Sequence, residues 1–402
     1  MKNFDVIVVG GGIVGAATFY KMQKRFPTKK ILLIEKMDEL ADHQTGHNSG
    51  VIHSGLYYKP GSLKAKNCVK GRHELVAFAK EHKVPHDICG KVVVATKASQ
   101  IPQLEKIEKI GIENKIEGLE RIDGAALREI EPECKGVGAL WVPCTGIIDF
   151  RDATSKMVEV ALAIQEQSEV HLSEEVLDFV SEGEGTRVMT SKSNYLATKL
   201  IVCGGLQADR LAKKDGVKLK EKVVGFRGDY YELNDHAKHK VKNLIYPVPN
   251  PDFPFLGVHF TRMTNGEIEC GPNAVFTFKR EGYGKTDFNL RDTADALSYG
   301  GTWKLFFNNM SFGINEYRRA FSKRLFLKTL RELIPSLTMD DLRPGRSGVR
   351  AMLLNTKGET GEDFRIETTD RSVHVLNAPS PAATAALAIG DYVVARFSDK
   401  FE

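Results

Sequence analysis

Short apolar runs and a helical pattern alternate over the first 35 residues. Residues 5–9 and 31–34 are apolar runs of strand length, and residues 13–25 between them follow the spacing of a helix. This strand, helix, strand order predicts a βαβ unit with two parallel strands. A buried parallel sheet is therefore expected to begin close to the first residue.

The same reading along the rest of the chain predicts two kinds of folding unit. Helical spacing predicts helices over residues 63–83, 102–110, 123–131, 150–167, 293–334 and 382–397. Apolar runs predict strands at 91–95, 169–172, 197–203, 365–368 and 373–376. From about residue 222 to 278, apolar and polar positions alternate, which is typical of an antiparallel sheet.

No repeat or low-complexity linker separates these units, so we expect their segments to interleave. The first domain is predicted to be α/β and to comprise residues 1–88, 145–221 and 335–402. The second is predicted to be α+β, built on a mixed, largely antiparallel sheet, and to comprise residues 89–144 and 222–334.

The turn after the first predicted strand has the glycine pattern of a dinucleotide site. Gly10 allows a tight turn, Gly12 lets a pyrophosphate approach the backbone, and Gly15 lets the helix pack closely on the strand. The helix N-terminus offers free N–H groups to the phosphates. Glu35 ends the second strand, twenty residues after Gly15. A carboxylate there can accept hydrogen bonds from both hydroxyls of an adenosine ribose.

Composition narrows the class of protein. The chain has 402 residues, enough for two or three domains, and its 42% hydrophobic and 27% charged content is ordinary for a soluble protein. The net charge of +5 is modest, so we expect the charged side chains to be solvated at the surface, and we expect no nucleic-acid partner. The sequence contains no apolar run of about 18 residues that would span a membrane, and the first strand leaves no room for a signal peptide. The six cysteines include no C-x-x-C pair, which favours reduced thiols, no metal site and a cytoplasmic location.

Three features favour FAD over NAD as the dinucleotide. The fingerprint lies at the start of a long chain. The loop at residues 45–55 is rich in glycine and small polar residues that suit close approach to a ring. A final helix that opens at Ser380 could direct its N-terminus at the negative charge of a reduced flavin.

At the level of motifs, the chain resembles the L-2-hydroxyglutarate oxidase/dehydrogenase family of the D-amino-acid oxidase/glycine oxidase superfamily. Besides the glycine fingerprint with Glu35-Lys36, the motifs that carry this resemblance are residues 46–58, 254–261, 271–274, 280–283, 347–350 and 378–382. The resemblance covers nearly the whole chain. It implies a Rossmann-type FAD-binding domain of the GR2/DAO-like class joined to a substrate domain.

The resemblance also implies a reaction, the oxidation of L-2-hydroxyglutarate to 2-oxoglutarate by hydride transfer from Cα to flavin N5. A neutral imidazole suits the base that takes the hydroxyl proton, and His53 and His259 are the best candidates for it. Arg350 is expected to pair with the α-carboxylate, as an arginine does at this place in the superfamily.

Further residues are expected to bind the dicarboxylate or the flavin. Candidates on the substrate side are Tyr57, Thr261, Arg262, Arg346 and Ser380. The expected cofactor contacts are Gly10, Gly12, Ile13, Val14, Gly15, Glu35, Lys36, Thr45, His47, Asn48, Ser49, Val176, Cys203, Gly204, Gly205, Gly348, Pro381, Ala382 and Ala383. A covalent flavin bond to His47 stays open.

Several alternatives remain at this stage. A related oxidase or dehydrogenase acting on an amino acid or on glycerol-3-phosphate would share these motifs, and so would a flavin-binding protein without turnover. The electron acceptor is either a quinone or O2. Residues 303–331 mix bulky apolar side chains with cations, a pattern that indicates either peripheral contact with the inner face of the cell membrane or a pair of ordinary amphipathic helices packed on the domain.

Overall fold

The structure is a computed structural model that describes residues 1–249, 257–361 and 363–398. Residues 254–256 of one family motif lie outside this described part.

Twenty strands and eleven α-helices are found in the described residues, besides three short 3-10 helices. In chain order the strands are β1 (Lys2–Val9), β2 (Ile31–Ile34), β3 (Val51–Ile52), β4 (His86–Asp87), β5 (Lys91–Ala95), β6 (Glu120–Asp123), β7 (Gly138–Val142), β8 (Gly146–Ile148), β9 (Glu169–His171), β10 (Val176–Glu182), β11 (Gly185–Thr190), β12 (Asn194–Val202), β13 (Lys222–Leu233), β14 (Leu244–Pro247), β15 (His259–Arg262), β16 (Ile268–Gly271), β17 (Val275–Phe276), β18 (Leu342–Leu354), β19 (Arg365–Thr368) and β20 (Ser372–Asn377). The helices are α1 (Ile13–Arg25), α2 (Leu63–Glu81), α3 (Ile101–Glu113), α4 (Gly124–Ile130), α5 (Phe150–Ile164), α6 (Ala208–Lys214), α7 (Leu290–Leu297), α8 (Gly300–Asn308), α9 (Met310–Phe321), α10 (Lys323–Leu330) and α11 (Ala386–Ser398).

The first sheet has a parallel centre with β1 in the middle. β1 pairs with β2 on one side and β12 on the other, and β9 and β20 extend the parallel set. Parallel strands need cover on both faces, and the buried residues of α1, α5 and α11 join those of β1 and β2 in one apolar core. The βαβ unit predicted at the start of the chain is confirmed.

The second sheet has nine strands and is mixed, with β5 parallel to β14 and its other pairs antiparallel. The predicted fold class, a Rossmann-type α/β domain with a largely antiparallel second sheet, is confirmed. The predicted boundaries assigned residues 335–402 to the first domain, but β18 pairs along its length with β13. Residues 342–354 therefore belong to the second sheet, while the boundaries as a whole stay a prediction.

The last helix begins later than its apolar pattern predicts. α11 starts at Ala386, and residues 381–385 form turns instead of helix. The reason is a tie to another segment, because the Thr384 hydroxyl accepts from the His53 amide at 3.0 Å and donates to the Val51 carbonyl at 3.2 Å. These bonds hold the turns against β3 and His53, within the predicted flavin loop.

Candidate active site

One large cavity of about 1340 Å³ lies where the two sheets meet. It exceeds the roughly 300–1,000 Å³ of an ordinary ligand pocket, so it has room for a dinucleotide together with a small substrate. All nineteen expected cofactor residues line it, and so do His53, Tyr57, His259, Arg350 and Ser380.

The glycine turn is shaped as its spacing predicts. Gly10 has φ of +107°, and a side chain at Gly15 would collide with the Gly10 carbonyl, so α1 packs directly on the turn. A Cβ at Gly12 would meet only the Thr45 hydroxyl, at 3.2 Å. The amides of Gly12 and Val14 find no acceptor among the described residues, as expected for a first helical turn open to phosphate.

Glu35 is fixed beside this turn. Its Oε2 accepts from the Gly11 amide at 2.6 Å and its Oε1 from the Met37 amide at 3.0 Å. Lys36 also lines the cavity, but its ammonium forms an ion pair with Glu281. Burial raises the pKa of Glu281 and Lys36 lowers it, and the net shift is downward, so this carboxylate stays charged.

The loop predicted to hold the flavin is tied to β18. Thr45 accepts from the Ile13 amide at 3.0 Å and so caps α1, which has no cap of its own. The His47 imidazole bonds the Ser347 carbonyl at 2.8 Å, and Arg346 donates to the carbonyls of Gly46 and Asn48 at 2.8 and 2.7 Å. Arg346, expected near the distal carboxylate, thus holds the loop.

Ser380 and residues 381–384 form the cavity wall where the C-terminal segment turns into α11. The amides of Ala383 and Thr384 find no hydrogen-bond acceptor in the described parts of the chain. Two unsatisfied donors in a cavity wall suit the negative oxygen and nitrogen atoms of a flavin ring. Together with the turn, Glu35 and the tied loop, they make the residues present fit FAD.

Two histidines meet in the cavity from different segments. His53 follows β3 and His259 opens β15, and burial is the main cause that lowers the pKa of each imidazole. Burial, Lys91, His259 and Lys64 bring the pKa of His53 to about 3, and burial, Arg350 and Lys91 bring that of His259 to about 4. Both imidazoles are therefore neutral at physiological pH.

The tautomer of His259 is set by its neighbour. Its Nδ1 lies 2.9 Å from the Gly257 carbonyl, which can only accept, so Nδ1 carries the proton and Nε2 carries the lone pair. The ring is also stacked on Tyr246. For the ring of His53, no such hydrogen bond is found among the described residues.

Three of the expected substrate residues do not line the cavity: Arg346, which holds the loop as described above, Thr261 and Arg262. Thr261 is buried in β15 without lining it, and Arg262 forms an ion pair with Asp87, with its Nη2 2.8 Å from Oδ2, at the surface. The alternation of side chains along β15 explains why Arg262 lies outside the cavity, because residue 262 faces away from the side that carries His259. Side chains that the sequence reading missed include Lys91, Tyr246 and Thr384.

Other kinds of site find no support in the described residues. No group of three or more His, Cys, Asp or Glu side chains there is arranged to hold a metal ion. None of the described helices combines the length and apolar character needed to cross a membrane. All six cysteines are free thiols.

Comparisons with known proteins agree with this geometry. The family described as FAD dependent oxidoreductase (DAO) matches residues 5–396. An L-2-hydroxyglutarate dehydrogenase from Indibacter alkaliphilus is 46% identical over 392 residues, or 97% of this chain and 98% of that protein. One from Escherichia coli K12 is 39% identical and covers 98% of this chain and 93% of its own length.

Solved structures share the fold. The FAD-bound L-α-glycerophosphate oxidase from Mycoplasma pneumoniae has a TM-score of 0.81 at 23% identity and covers 98% of this chain and 95% of its own. Glycine oxidase from Geobacillus kaustophilus has a TM-score of 0.73 at 15% identity, with the same coverage. At these identities the likeness concerns the fold alone.

Proposed function

Because this chain belongs to the FAD dependent oxidoreductase (DAO) family, we propose that it oxidises L-2-hydroxyglutarate to 2-oxoglutarate. It is an FAD-dependent oxidoreductase, and the substrate is the proposed part. Relatives named L-2-hydroxyglutarate dehydrogenase, 39–46% identical over nearly the whole chain, support that substrate.

The observation that carries the proposal is the meeting of Arg350 with two neutral histidines in one cavity. Arg350 lies on β18 opposite Phe226 of β13, close enough to His259 to lower its pKa. A guanidinium can bind the α-carboxylate of a 2-hydroxy acid through two parallel hydrogen bonds. This would place the adjacent hydroxyl carbon beside the imidazoles.

His259 is the base in this proposal. Its Nε2 has the free lone pair because Nδ1 donates to Gly257, and the Tyr246 ring restricts its tilt. The hydroxyl proton passes to Nε2 as the C–H bond breaks, and Arg350 neutralises the charge of the α-carboxylate throughout. His53, whose pKa is lowered by His259, is the alternative base for the hydroxyl proton.

FAD, when bound, supplies the acceptor for the hydride from Cα, so one proton and one hydride leave the substrate together. The α1 turn and Glu35 would hold its dinucleotide portion. Loop 45–49 and the turns at 381–384 would border its ring.

An anaerobic titration with each enantiomer of 2-hydroxyglutarate tests the proposal. We expect the L enantiomer to bleach the flavin absorbance near 450 nm, on the order of one equivalent per site, and the D enantiomer to leave it unchanged. Glycine, L-proline and glycerol-3-phosphate serve as the comparison substrates. Faster bleaching by any of these, or none by L-2-hydroxyglutarate, would contradict the proposed substrate.

We also propose peripheral contact with an anionic membrane through α8, α9 and α10. Phe307 and Phe321 are each 65% exposed on this surface, and Trp303, Met310, Ile314 and Leu325 are exposed with them. The same helices carry cationic side chains, at Arg318, Lys323, Arg324 and Lys328. Large apolar side chains mixed with cations favour an interface with acidic lipid over open solvent. Such contact favours a membrane quinone over O2 as the electron acceptor.

Flotation with vesicles tests this contact. We expect the protein to float with vesicles containing anionic lipid at low salt, and the double variant Phe307→Ser/Phe321→Ser to stay at the bottom. Ile112→Ser is the matched control, because Ile112 is 64% exposed on α3, which is not one of the three helices of this surface. Equal flotation of all three proteins, or none of the wild type, would contradict the contact. A wild-type dimer that the double variant breaks would assign the surface to a second copy instead.

A further inference from the structure

Lys91 is a buried cation that the reaction above does not use. It begins β5, in the middle of the second sheet, where it pairs with Leu244 of β14 and Val142 of β7. Only 1% of its surface is exposed, which is rare for a lysine unless a partner compensates the charge.

No carboxylate compensates Lys91 within the described chain. It forms no ion pair there, and besides burial the groups that act on its pKa are the thiols of Cys144 and Cys68. Burial raises the pKa of both thiols, so they are neutral and leave the charge unbalanced. Burial lowers the pKa of Lys91 to about 8, which keeps the ammonium largely protonated at pH 7.

Two tyrosine rings separate Lys91 from the cavity. Its Nζ lies 4.8 Å from the ring centroid of Tyr57 and 5.0 Å from that of Tyr246, and both rings line the cavity. The Tyr57 hydroxyl is buried and has no hydrogen-bond partner among the described residues. Burial and Tyr246 raise the pKa of Tyr57, so this hydroxyl keeps its proton and can donate it to an anion.

We propose that the Tyr57 hydroxyl and the Lys91 ammonium form the subsite for the second carboxylate of a dicarboxylate substrate. The hydroxyl donates to the carboxylate, and Lys91 is a positioning residue that supplies positive charge from behind the ring. With Arg350 at the α-carboxylate, two cations then face the two negative charges of the diacid. This inference rests on the proposed function and deepens it, because it accounts for the preference for a diacid over a monoacid.

Both cations act on the imidazole of His259. Lys91 lowers the pKa of both His53 and His259, and Arg350 lowers that of His259 as well. A diacid that binds both cations would therefore extend past the base. The rings of Tyr57 and Tyr246 lie against the Lys91 ammonium, the thiols of Cys68 and Cys144 act on its pKa, and its charge acts on the two imidazoles.

The test compares L-2-hydroxyglutarate with its 5-amide, which has the same shape but one charge. We expect the wild type to prefer the diacid, and Lys91→Met to lower kcat/KM for the diacid about 10- to 100-fold relative to the amide, mainly through KM. Tyr57→Phe should lower the same ratio by a smaller factor. Lys59→Met is the matched control, because Lys59 also lines the cavity but is exposed, and its ratio should stay near that of the wild type.

A pH profile of the wild type tests the subsite without a variant. KM for the diacid should rise as pH increases through about 8, where Lys91 loses its proton, while KM for the amide stays flat. Equal losses on both substrates in Lys91→Met, with flavin content and Tm unchanged, would overturn the inference, and so would parallel pH profiles. Wild-type enzyme that oxidises neither substrate would instead contradict the proposed function.

Discussion

The rings of Tyr246 and His259 are stacked, with centroids 3.9 Å apart and planes inclined by 22°. Tyr246 lies on β14 and His259 on the neighbouring strand β15, so the stack is a cross-strand pair in the second sheet. It leaves the imidazole little freedom to rotate. A base held in one orientation needs no reorganisation when the substrate binds.

We therefore expect His259→Gln to slow anaerobic flavin reduction by about 10²- to 10⁴-fold, because it removes the general base. FAD content should not change. Tyr246→Phe keeps the stacked ring and is the control, with an expected loss below about tenfold. Stopped-flow absorbance would measure both rates, and a near-normal rate in His259→Gln would transfer the role to His53.

The sequence could predict the parts of this site that depend on local pattern. The turn at Gly10 to Gly15 and the carboxylate of Glu35 follow from strand, glycine and helix spacing, and the structure places them as expected. His53, His259 and Arg350 come from three distant segments, and only the family resemblance indicated that they meet. No local rule contains the pairing of sheets that brings them together.

What the sequence reading missed depends on tertiary contacts. Lys91 precedes three valines and reads as the polar start of a buried strand, although its side chain is buried beside two tyrosines. β18 contains Pro344, Gly345 and Gly348, residues that weaken strand propensity, and it is a long strand because β13 pairs with it. The hydrophobic pattern alone predicts neither the burial of the Lys91 side chain nor the length of β18.

The free energy of unfolding should decrease as the pH falls below neutral, because two histidines are buried in the neutral form. In the unfolded chain their imidazoles take up protons below about pH 6.5, whereas in the folded protein they stay neutral down to about pH 4 for His259 and 3 for His53. The unfolded state thus binds more protons, which favours unfolding as pH falls. Their contribution is fully present above about pH 6.5.

Each histidine contributes a slope of up to about 1.4 kcal/mol per pH unit between these limits. Urea unfolding of the holoenzyme at several values from pH 7.5 to 5 would measure it. His259→Gln should show a shallower slope than the wild type. Identical slopes would mean that His259 is protonated in the folded protein.

Arg350 and Arg346 should respond differently to the same substitution, although both lie on β18. Arg350→Met removes the expected partner of the α-carboxylate, at a cost of about 2–5 kcal/mol in transition-state binding, or at least roughly 30-fold in kcat/KM. FAD should remain bound. Arg346→Met instead removes the donors that hold the carbonyls of Gly46 and Asn48, so FAD content and Tm should fall.

Flavin absorbance of the purified proteins, melting curves and steady-state kinetics would separate the two outcomes. Arg350→Met with an unchanged kcat/KM would remove this side chain from the substrate site. Arg346→Met with full flavin and a normal Tm would mean that the loop holds its position without it.

Gly348 is a point where β18 closely approaches the flavin loop. A Cβ there would collide with the carbonyl oxygen of His47. This is a backbone atom, so it cannot move aside as the end of a flexible side chain could. We expect Gly348→Ala to displace residues 45–49, weaken FAD binding at least about tenfold and destabilise the protein by about 1–3 kcal/mol. Fluorescence titration of the apoprotein with FAD would measure the affinity.

Gly313→Ala is the matched control for this substitution. Gly313 lies inside α9, and a Cβ there would meet no atom within 4 Å, so the variant should bind FAD normally. Alanine also loses less backbone entropy in a helix, which should stabilise the protein by about 0.5–1 kcal/mol. If Gly348→Ala bound FAD as tightly as Gly313→Ala, the strand and the loop would be free to separate, and the close contact at His47 would not position the flavin.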